Sequence, residues 1–230
     1  MNILEKTLAQ QANRGIVTPG DRVQLEPSMV YIGENNAMRV INEFYRAGYE
    51  TIHTQNTVFN VLDDPSVRGI GLTDQLKPKN RKSLDELIRE EQEKELVVAG
   101  VDASIFTVGA YGAVPFILSP SSMANCLGTG KIDFIIPETI YIELSGVDGI
   151  DSGVLHAFLL DYFNDSLVGN GVIVGGNAVE RFECDMRKTI MEFLFESGAT
   201  LGLISPLGPF GQVESVVKIN MSQMVDFIRK

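Results

Sequence analysis

The sequence predicts an α/β fold: a layered α/β/α domain with mostly parallel sheets. Short runs of β-branched and apolar residues alternate with segments whose apolar residues recur at helical spacing. The chain has 230 residues, of which 44% are apolar and 21% charged, so it can bury a substantial core. We expect one unit over 1–230, either undivided or formed by two α/β subdomains at about 1–130 and 131–230.

Helices and strands alternate through the first half of the chain. Helices are predicted at 2–14, at 36–45 and after the capping residue Ser83, the last continuing into the acidic run that begins at Glu90, and strands at 23–25, 29–32, 57–62 and 95–101. Residues 64–82 are rich in Asp, Gly, Lys and Pro and are predicted to form a loop. The acidic run from Glu90 to Glu95 is interpreted as the solvated face of a helix and not as a metal site.

The same alternation continues through the second half. Ser119 and Pro120 begin a helix that should end near Leu127, where Gly128 and Gly130 are expected in left-handed conformations. The later elements are a strand at 132–144, a helix from Asp151, a strand at 172–174, a helix at 183–197, a short parallel strand at 201–204, and a final strand and helix.

Charge and hydropathy exclude some classes of partner. The net charge is −11 and Lys and Arg form no stripe, so a nucleic-acid partner is not expected. No apolar run approaches the roughly 20 residues needed to cross a bilayer, so no membrane partner is expected either. Because Met1–Ala9 also lacks the basic-then-apolar build of a signal peptide, we expect a cytoplasmic protein.

The two cysteines, Cys126 and Cys184, show no spacing typical of metal ligands. A pair of this kind is most often a pair of buried, reduced thiols, as in cytoplasmic proteins. We therefore assign no metal-binding or cofactor-binding residue from the sequence.

Two nearby runs carry the clearest motifs in the chain. They read Asp102-Ala-Ser-Ile-Phe-Thr-Val-Gly-Ala-Tyr-Gly-Ala113 and Gly130-Lys-Ile-Asp-Phe-Ile-Ile-Pro-Glu-Thr-Ile140. Together they resemble the active-site segment of the aconitase superfamily, in particular the 3-isopropylmalate dehydratase large subunit. In that family Asp-Ser-His-Thr opens the segment and Thr-Gly-Lys…Val-Pro-Glu-Thr-Ile closes it. Weaker matches lie, in the family's order, at 4–9, 17–21, 60–64 and 198–206.

The resemblance implies a layered α/β fold and, in complete family members, dehydration and rehydration of small hydroxy-dicarboxylates on a [4Fe–4S] cluster. Such a cluster needs several Cys thiolates. The family's cluster cysteines fall beyond the last residue of this chain, and neither Cys126 nor Cys184 matches them. We therefore expect no cofactor in this chain, with a [4Fe–4S] cluster present only if another chain supplies it.

The departures from the family pattern fall on polar active-site positions. The His expected after Asp63 is Asp64, the Ser-His after Asp102 is Ala103-Ser104, and a family Glu aligns with Ile173. The carboxylates that remain follow strands, where sites of α/β proteins are usually built.

Catalytic candidates are therefore Asp63, Asp64, Asp102 and Ser104, with a carboxylate as base and Ser104 holding a substrate carboxylate. The alternative is that Asp63 and Asp102 only cap the helices or turns that follow them.

Two hypotheses of function remain open. The first is a non-catalytic aconitase-like domain that binds a partner subunit, a second copy in a homo-oligomer, or a small carboxylate ligand. The apolar run 115–118 would suit a protein interface if exposed, and a sheet strand if buried. The second is an enzyme, either a cluster-independent lyase or isomerase acting on a small hydroxy- or amino-acid, or one subunit of a multi-chain hydro-lyase.

Overall fold

A computed structural model describes residues 1–54, 57–59, 83–90, 95–146 and 149–223. Helices there are α1 Ile3–Gln11, α2 Glu34–Arg46, α3 Leu84–Glu90, α4 Pro120–Thr129, α5 Ser152–Phe163, α6 Asn177–Arg181 and α7 Cys184–Glu196, with 3₁₀ helices at Ala103–Tyr111 and Met221–Gln223. Strands are β1 Arg22–Leu25, β2 Met29–Ile32, β3 Thr57–Phe59, β4 Val97–Gly100, β5 Val114–Ile117, β6 Ile132–Ile135, β7 Thr139–Ser145, β8 Gly171–Gly175, β9 Leu201–Ile204 and β10 Ser215–Asn220.

The strands form two parallel sheets and one antiparallel ribbon. The first sheet has the order β3-β2-β4-β5 and the second β10-β7-β8-β9, and every pairing within them is parallel. The ribbon pairs β1 with β6. This confirms the predicted α/β class with mostly parallel sheets.

Local hydrogen bonds at the helix starts explain why several helices begin where the sequence predicts. At α1 the Asn2 side chain accepts from the Glu5 amide, and the Glu5 carboxylate accepts from the Asn2 amide, which is a capping box. Ser119 accepts from the Ser122 amide at α4, and Asp151 accepts from the first-turn amides of α5. Each such cap stabilises its helix by about 1 kcal/mol.

The single strand predicted at 132–144 is wrong. Pro137 has no amide hydrogen to donate to a ladder, and the chain changes sheet there. Ile132–Ile135 pairs with β1, whereas Thr139–Ser145 lies between β10 and β8 in the second sheet.

Helix α4 also runs further than the prediction. Gly128 lies inside the helix, and a Cβ atom there would come within 2.3 Å of the Tyr49 ring. A glycine is therefore required at this position for packing and not for a left-handed turn. Gly130, with φ 76°, does end the helix in the left-handed region as expected.

The motif run after Asp102 contains two elements that the sequence did not predict. Ala103–Tyr111 is a 3₁₀ helix, and Val114–Ile117 is β5, the edge strand of the first sheet. Pro115 and Phe116 are buried in the sheet, as the second alternative for the run 115–118 expected, whereas Ile117 is exposed and Leu118 is half-buried.

The largest core cluster joins elements from both parts of the chain. It includes Leu8 of α1, Val97 of β4, and Ile173 and Leu203 of the second sheet. The 3₁₀ helix packs closely on the second sheet as well, because a Cβ at Gly109 would lie 2.5 Å from the carbonyl oxygen of Gly202. The division into two subdomains stays a prediction. Among the described residues, no helix has the length and apolar content to span a bilayer.

Candidate functional site

The order of the first sheet creates a crevice at one pair of strand ends. Strands β2 and β4 are neighbours, but the chain leaves β2 toward β3 on one side of the sheet and leaves β4 toward β5 on the other. In open parallel sheets the loops diverge at such a switch point and leave a ligand-binding crevice at the carboxyl ends of the strands. The β2–β4 crevice is therefore the expected site.

Asp102 lies at this crevice, and its side chain is held from the other side by Asn36. The Asn36 Nδ2 atom donates to Asp102 Oδ1 at 2.5 Å, across the gap between α2 and the end of β4. Gly33, at the end of β2, allows the close approach, because a Cβ there would lie 2.7 Å from Asp102 Oδ2. The contact is part-buried and fixes the orientation of the carboxylate.

The interpretation of Asp102 as a helix cap is wrong. Asp102 is the residue before the 3₁₀ helix, and its backbone has φ −95° and ψ 148°. Its side chain, however, makes no capping hydrogen bond to that helix. The carboxylate is directed to Asn36 instead. An ionised carboxylate has about four acceptor positions on its two oxygens, and the Asn36 amide uses one of them. The Asp102 carboxylate can therefore accept a hydrogen bond from a further donor.

Ser104 lies two residues further, in the first turn of the 3₁₀ helix, and is exposed. Its carbonyl oxygen accepts from Thr107 Oγ1 at 2.7 Å, which closes that turn. Asp63 and Asp64 lie outside the described residues, so their approach to Asp102 stays a prediction.

The start of α2 also lies at the crevice and was not predicted as part of the site. Gly33 precedes this 13-residue helix and offers no side chain to cap it. First-turn amides of a helix carry partial positive charge, which attracts anionic groups. Asn36 follows a predicted strand end by four residues in the sequence, and this position is the signal that could have identified it.

The two cysteines lie in different surroundings. Cys126 is fully buried in the largest core cluster, and burial raises the pKa of its thiol to about 12. Cys184 is only partly buried at the start of α7, so the prediction of two buried thiols is wrong for it.

The Cys184 thiol adjoins a cluster of charged and phenolic groups. Arg89 donates to the Tyr111 hydroxyl at 3.4 Å, and Lys188 forms an ion pair with Asp85. Burial is the main cause that raises the pKa of Tyr111, and the hydrogen bond to Tyr111 raises the pKa of Arg89. These contacts join α3, the 3₁₀ helix and α7, which is a structural role.

The residues present do not fit an iron–sulfur cluster held by this chain alone. The sequence has two cysteines, and one of them is a neutral thiol inside the core. Within the described ranges, no three His, Cys, Asp or Glu side chains are grouped to hold a metal ion.

Comparison with known proteins supports the family resemblance. The chain is 26% identical to the 3-isopropylmalate dehydratase large subunit of Halothermothrix orenii, over 90% of this chain and 54% of that protein. It is 25% identical to large subunit 1 of the same enzyme from Pyrococcus furiosus, with the same coverage. An aconitase of Aspergillus rugulosus is 26% identical over 80% of this chain and 22% of its own length. No protein-family model matches.

By its motifs and by these comparisons, the chain is similar to proteins of the aconitase superfamily. More narrowly, the chain resembles 3-isopropylmalate dehydratase large subunits along nine tenths of its length, as its motifs predict. The chain spans about half the length of these relatives, so their activity is a property of longer proteins.

Proposed function

We propose that this chain is a non-catalytic aconitase-like domain that binds a small hydroxy-carboxylate in the β2–β4 crevice. The observation that carries the proposal is the hydrogen bond from Asn36 to Asp102. It holds a carboxylate with free acceptor capacity at the switch point of a parallel sheet, where ligands of such folds bind.

The two kinds of group at the crevice suit the two ends of such a ligand. A ligand hydroxyl would donate to the Asp102 carboxylate, and a ligand carboxylate would accept from the first-turn amides of α2. Because Asp102 is itself acidic, a ligand with only carboxylates would place like charges together unless its anionic end points to the helix.

The absence of catalysis is proposed from the residues that replace polar positions of the family. Ala103 replaces a Ser, Ser104 replaces a His and Ile173 replaces a Glu in the matched motifs. Without these groups, Asp102 can orient a hydroxyl, but positions 103, 104 and 173 no longer supply the polar partners of the family for an acid–base pair.

A thermal-shift experiment tests the proposal. Small hydroxy-dicarboxylates, matched dicarboxylates without the hydroxyl, and divalent cations would be added to the protein and to Asp102→Asn. A ligand at about a hundredfold its Kd should stabilise the native state by about 2.7 kcal/mol. Such stabilisation raises the Tm of a chain of this size by roughly 2–4 °C per kcal/mol. Only hydroxy-dicarboxylates should do so.

Asp161→Asn is the matched control. Asp161 is exposed on α5, and its substitution removes the same charge at a position far along the chain from the crevice residues. The shift should survive in Asp161→Asn and disappear in Asp102→Asn. An equal shift in both variants, or none with any hydroxy-dicarboxylate, would contradict the proposal.

A second candidate is one subunit of a multi-chain hydro-lyase, in which another chain supplies the [4Fe–4S] cluster. The similarity to proteins named as large subunits favours it. An iron–sulfur absorption band in a co-purified complex, absent from the lone chain, with hydration activity lost in Asp102→Asn, would support this candidate over the binding role. A cluster-independent lyase would instead require turnover by the lone chain that depends on Asp102.

A further inference from the structure

A groove between α2 and α4 is lined mainly by side chains that can donate hydrogen bonds. Its volume is about 770 Å³, within the roughly 300–1,000 Å³ of small-molecule sites. We call it the α2–α4 groove. Its polar lining consists of Arg39, Asn42, Glu43 and Arg46 of α2 and Ser121 and Asn125 of α4. None of the crevice residues Gly33, Asn36 and Asp102 lines it.

Two cations from one face of α2 line the groove. Arg39 and Arg46 are seven residues apart, which is about two helical turns, so they share a face. Among the described side chains, no carboxylate is paired with Arg39. Arg46 Nη1 donates to Glu43 Oε1 at 3.3 Å, which leaves further N–H groups of this guanidinium for a ligand. The groove therefore has an excess of positive charge, in a chain with 30 acidic and 19 basic residues.

Uncharged donors lie beside the two cations. The Asn125 side chain is oriented by Tyr49, whose hydroxyl donates to Asn125 Oδ1 at 3.4 Å, so Asn125 Nδ2 is left to donate. Asn42 and Ser121 are exposed in the same groove and can donate as well. Helix α4 contains no charged residue, so it adds no carboxylate that would repel an anion.

We propose that the α2–α4 groove binds a phosphate group, as free phosphate or as the monoester of a small molecule. A phosphate monoester carries a charge of about −1.5 to −2 at pH 7 and presents three acceptor oxygens in different directions, which suits donors on two helices. A carboxylate has two oxygens in one plane, and a single guanidinium can satisfy it. Because both arginines are exposed, the Kd should be roughly 0.1–1 mM and should rise with ionic strength.

Heteronuclear NMR titration of the full chain tests the proposal. Inorganic phosphate and glycerol 3-phosphate are the probes, and succinate is a dicarboxylate of similar charge. Both phosphate probes should shift the side-chain amide signals of Asn42 and Asn125, and the tighter of the two identifies the source of the phosphate group. Succinate should bind at least about tenfold more weakly.

Two variants should change phosphate affinity in opposite directions. Arg39→Ala should weaken it at least about tenfold, because the unpaired cation is lost. Glu43→Gln should tighten it several-fold, because the carboxylate that repels an anion and competes for Arg46 is removed. Disruption of α2 alone would not tighten binding, so this pair separates a role in the ligand site from a structural role.

Arg22→Ala is the matched control, because Arg22 is exposed on β1 and does not line the groove. It should bind phosphate as the parent chain does, and circular dichroism should show all variants folded. Asp102→Asn should also keep phosphate binding, which separates this proposal from the hydroxy-carboxylate proposal for the crevice. No amide shift with either phosphate probe up to about 10 mM, equal affinity for succinate, or equal losses in Arg39→Ala and Arg22→Ala would overturn the proposal.

Discussion

At the scale of single residues, the contact that defines the site is one that the sequence shows only in part. Asp102 could be selected because it follows a strand in an α/β pattern. Asn36 also follows a predicted strand end, but its pairing with Asp102 could not be predicted, because the hydrogen bond joins the ends of two strands between which α2, β3 and α3 lie in the chain. Pairings of this kind depend on strand order, which local spacing does not determine.

The Asn36 amide should contribute measurably to stability as well as to the site. In Asn36→Ala the part-buried Asp102 carboxylate loses its donor, so the free energy of unfolding should fall by about 1–3 kcal/mol. Urea unfolding measures the change. Asn35→Ala, at the exposed neighbouring position, should lose less than about 0.5 kcal/mol, and equal losses in the two variants would contradict this assignment.

The buried Cys126 thiol should make stability fall at alkaline pH. Burial raises its pKa from an ordinary value of 9.0 to about 12, so the unfolded chain releases the proton first as pH rises. This contribution to stability is complete below pH 9 and is lost toward pH 12. Urea unfolding as a function of pH should show a shallower alkaline decline in Cys126→Ala, whatever its baseline stability; parallel profiles would exclude Cys126 as a cause.

At the scale of elements, most helices and parallel strands follow from periodicity and caps, whereas the boundaries near Pro137 and Gly128 do not. A run of β-branched and aromatic residues around Pro137 predicts one strand, but the missing amide hydrogen divides it between a ribbon and a sheet. Gly128 reads as a helix end, but Tyr49 packs against it from another part of the chain. In both cases a tertiary partner decides the outcome.

The packing of the 3₁₀ helix on β9 gives a prediction at this scale. A methyl group at Gly109 would lie 2.5 Å from Gly202 O and 2.6 Å from Met191 Sδ, so Gly109→Ala should lower the free energy of unfolding by about 1–3 kcal/mol. Gly15→Ala meets no atom within 4 Å and should be neutral or slightly stabilising. Equal effects of the two substitutions in denaturant unfolding would show that the 3₁₀ helix does not pack on β9.

At the scale of the whole molecule, residues of both parallel sheets join the largest core cluster, and the candidate site lies at the switch point between β2 and β4. The fold class and the family resemblance could be read from the sequence, and the comparisons confirm the resemblance over nine tenths of the chain. The crevice could not be predicted from the sequence, because it arises from the strand order β3-β2-β4-β5. In this order β2 lies between β3 and β4, so the connections from β2 and β4 diverge. The dehydratase large subunits that the chain matches are about twice as long, so ligand binding and assembly are the properties to measure on this chain itself.

Calorimetric titration of a hydroxy-dicarboxylate into Gly33→Ala and Gly15→Ala tests the central claim most directly. Gly33 has φ −77°, so alanine fits its backbone, but its Cβ would lie 2.7 Å from Asp102 Oδ2 and must displace that carboxylate. Binding in the β2–β4 crevice predicts that affinity falls at least about tenfold in Gly33→Ala and is unchanged in Gly15→Ala. Equal affinity in both variants would place the ligand elsewhere and contradict the account.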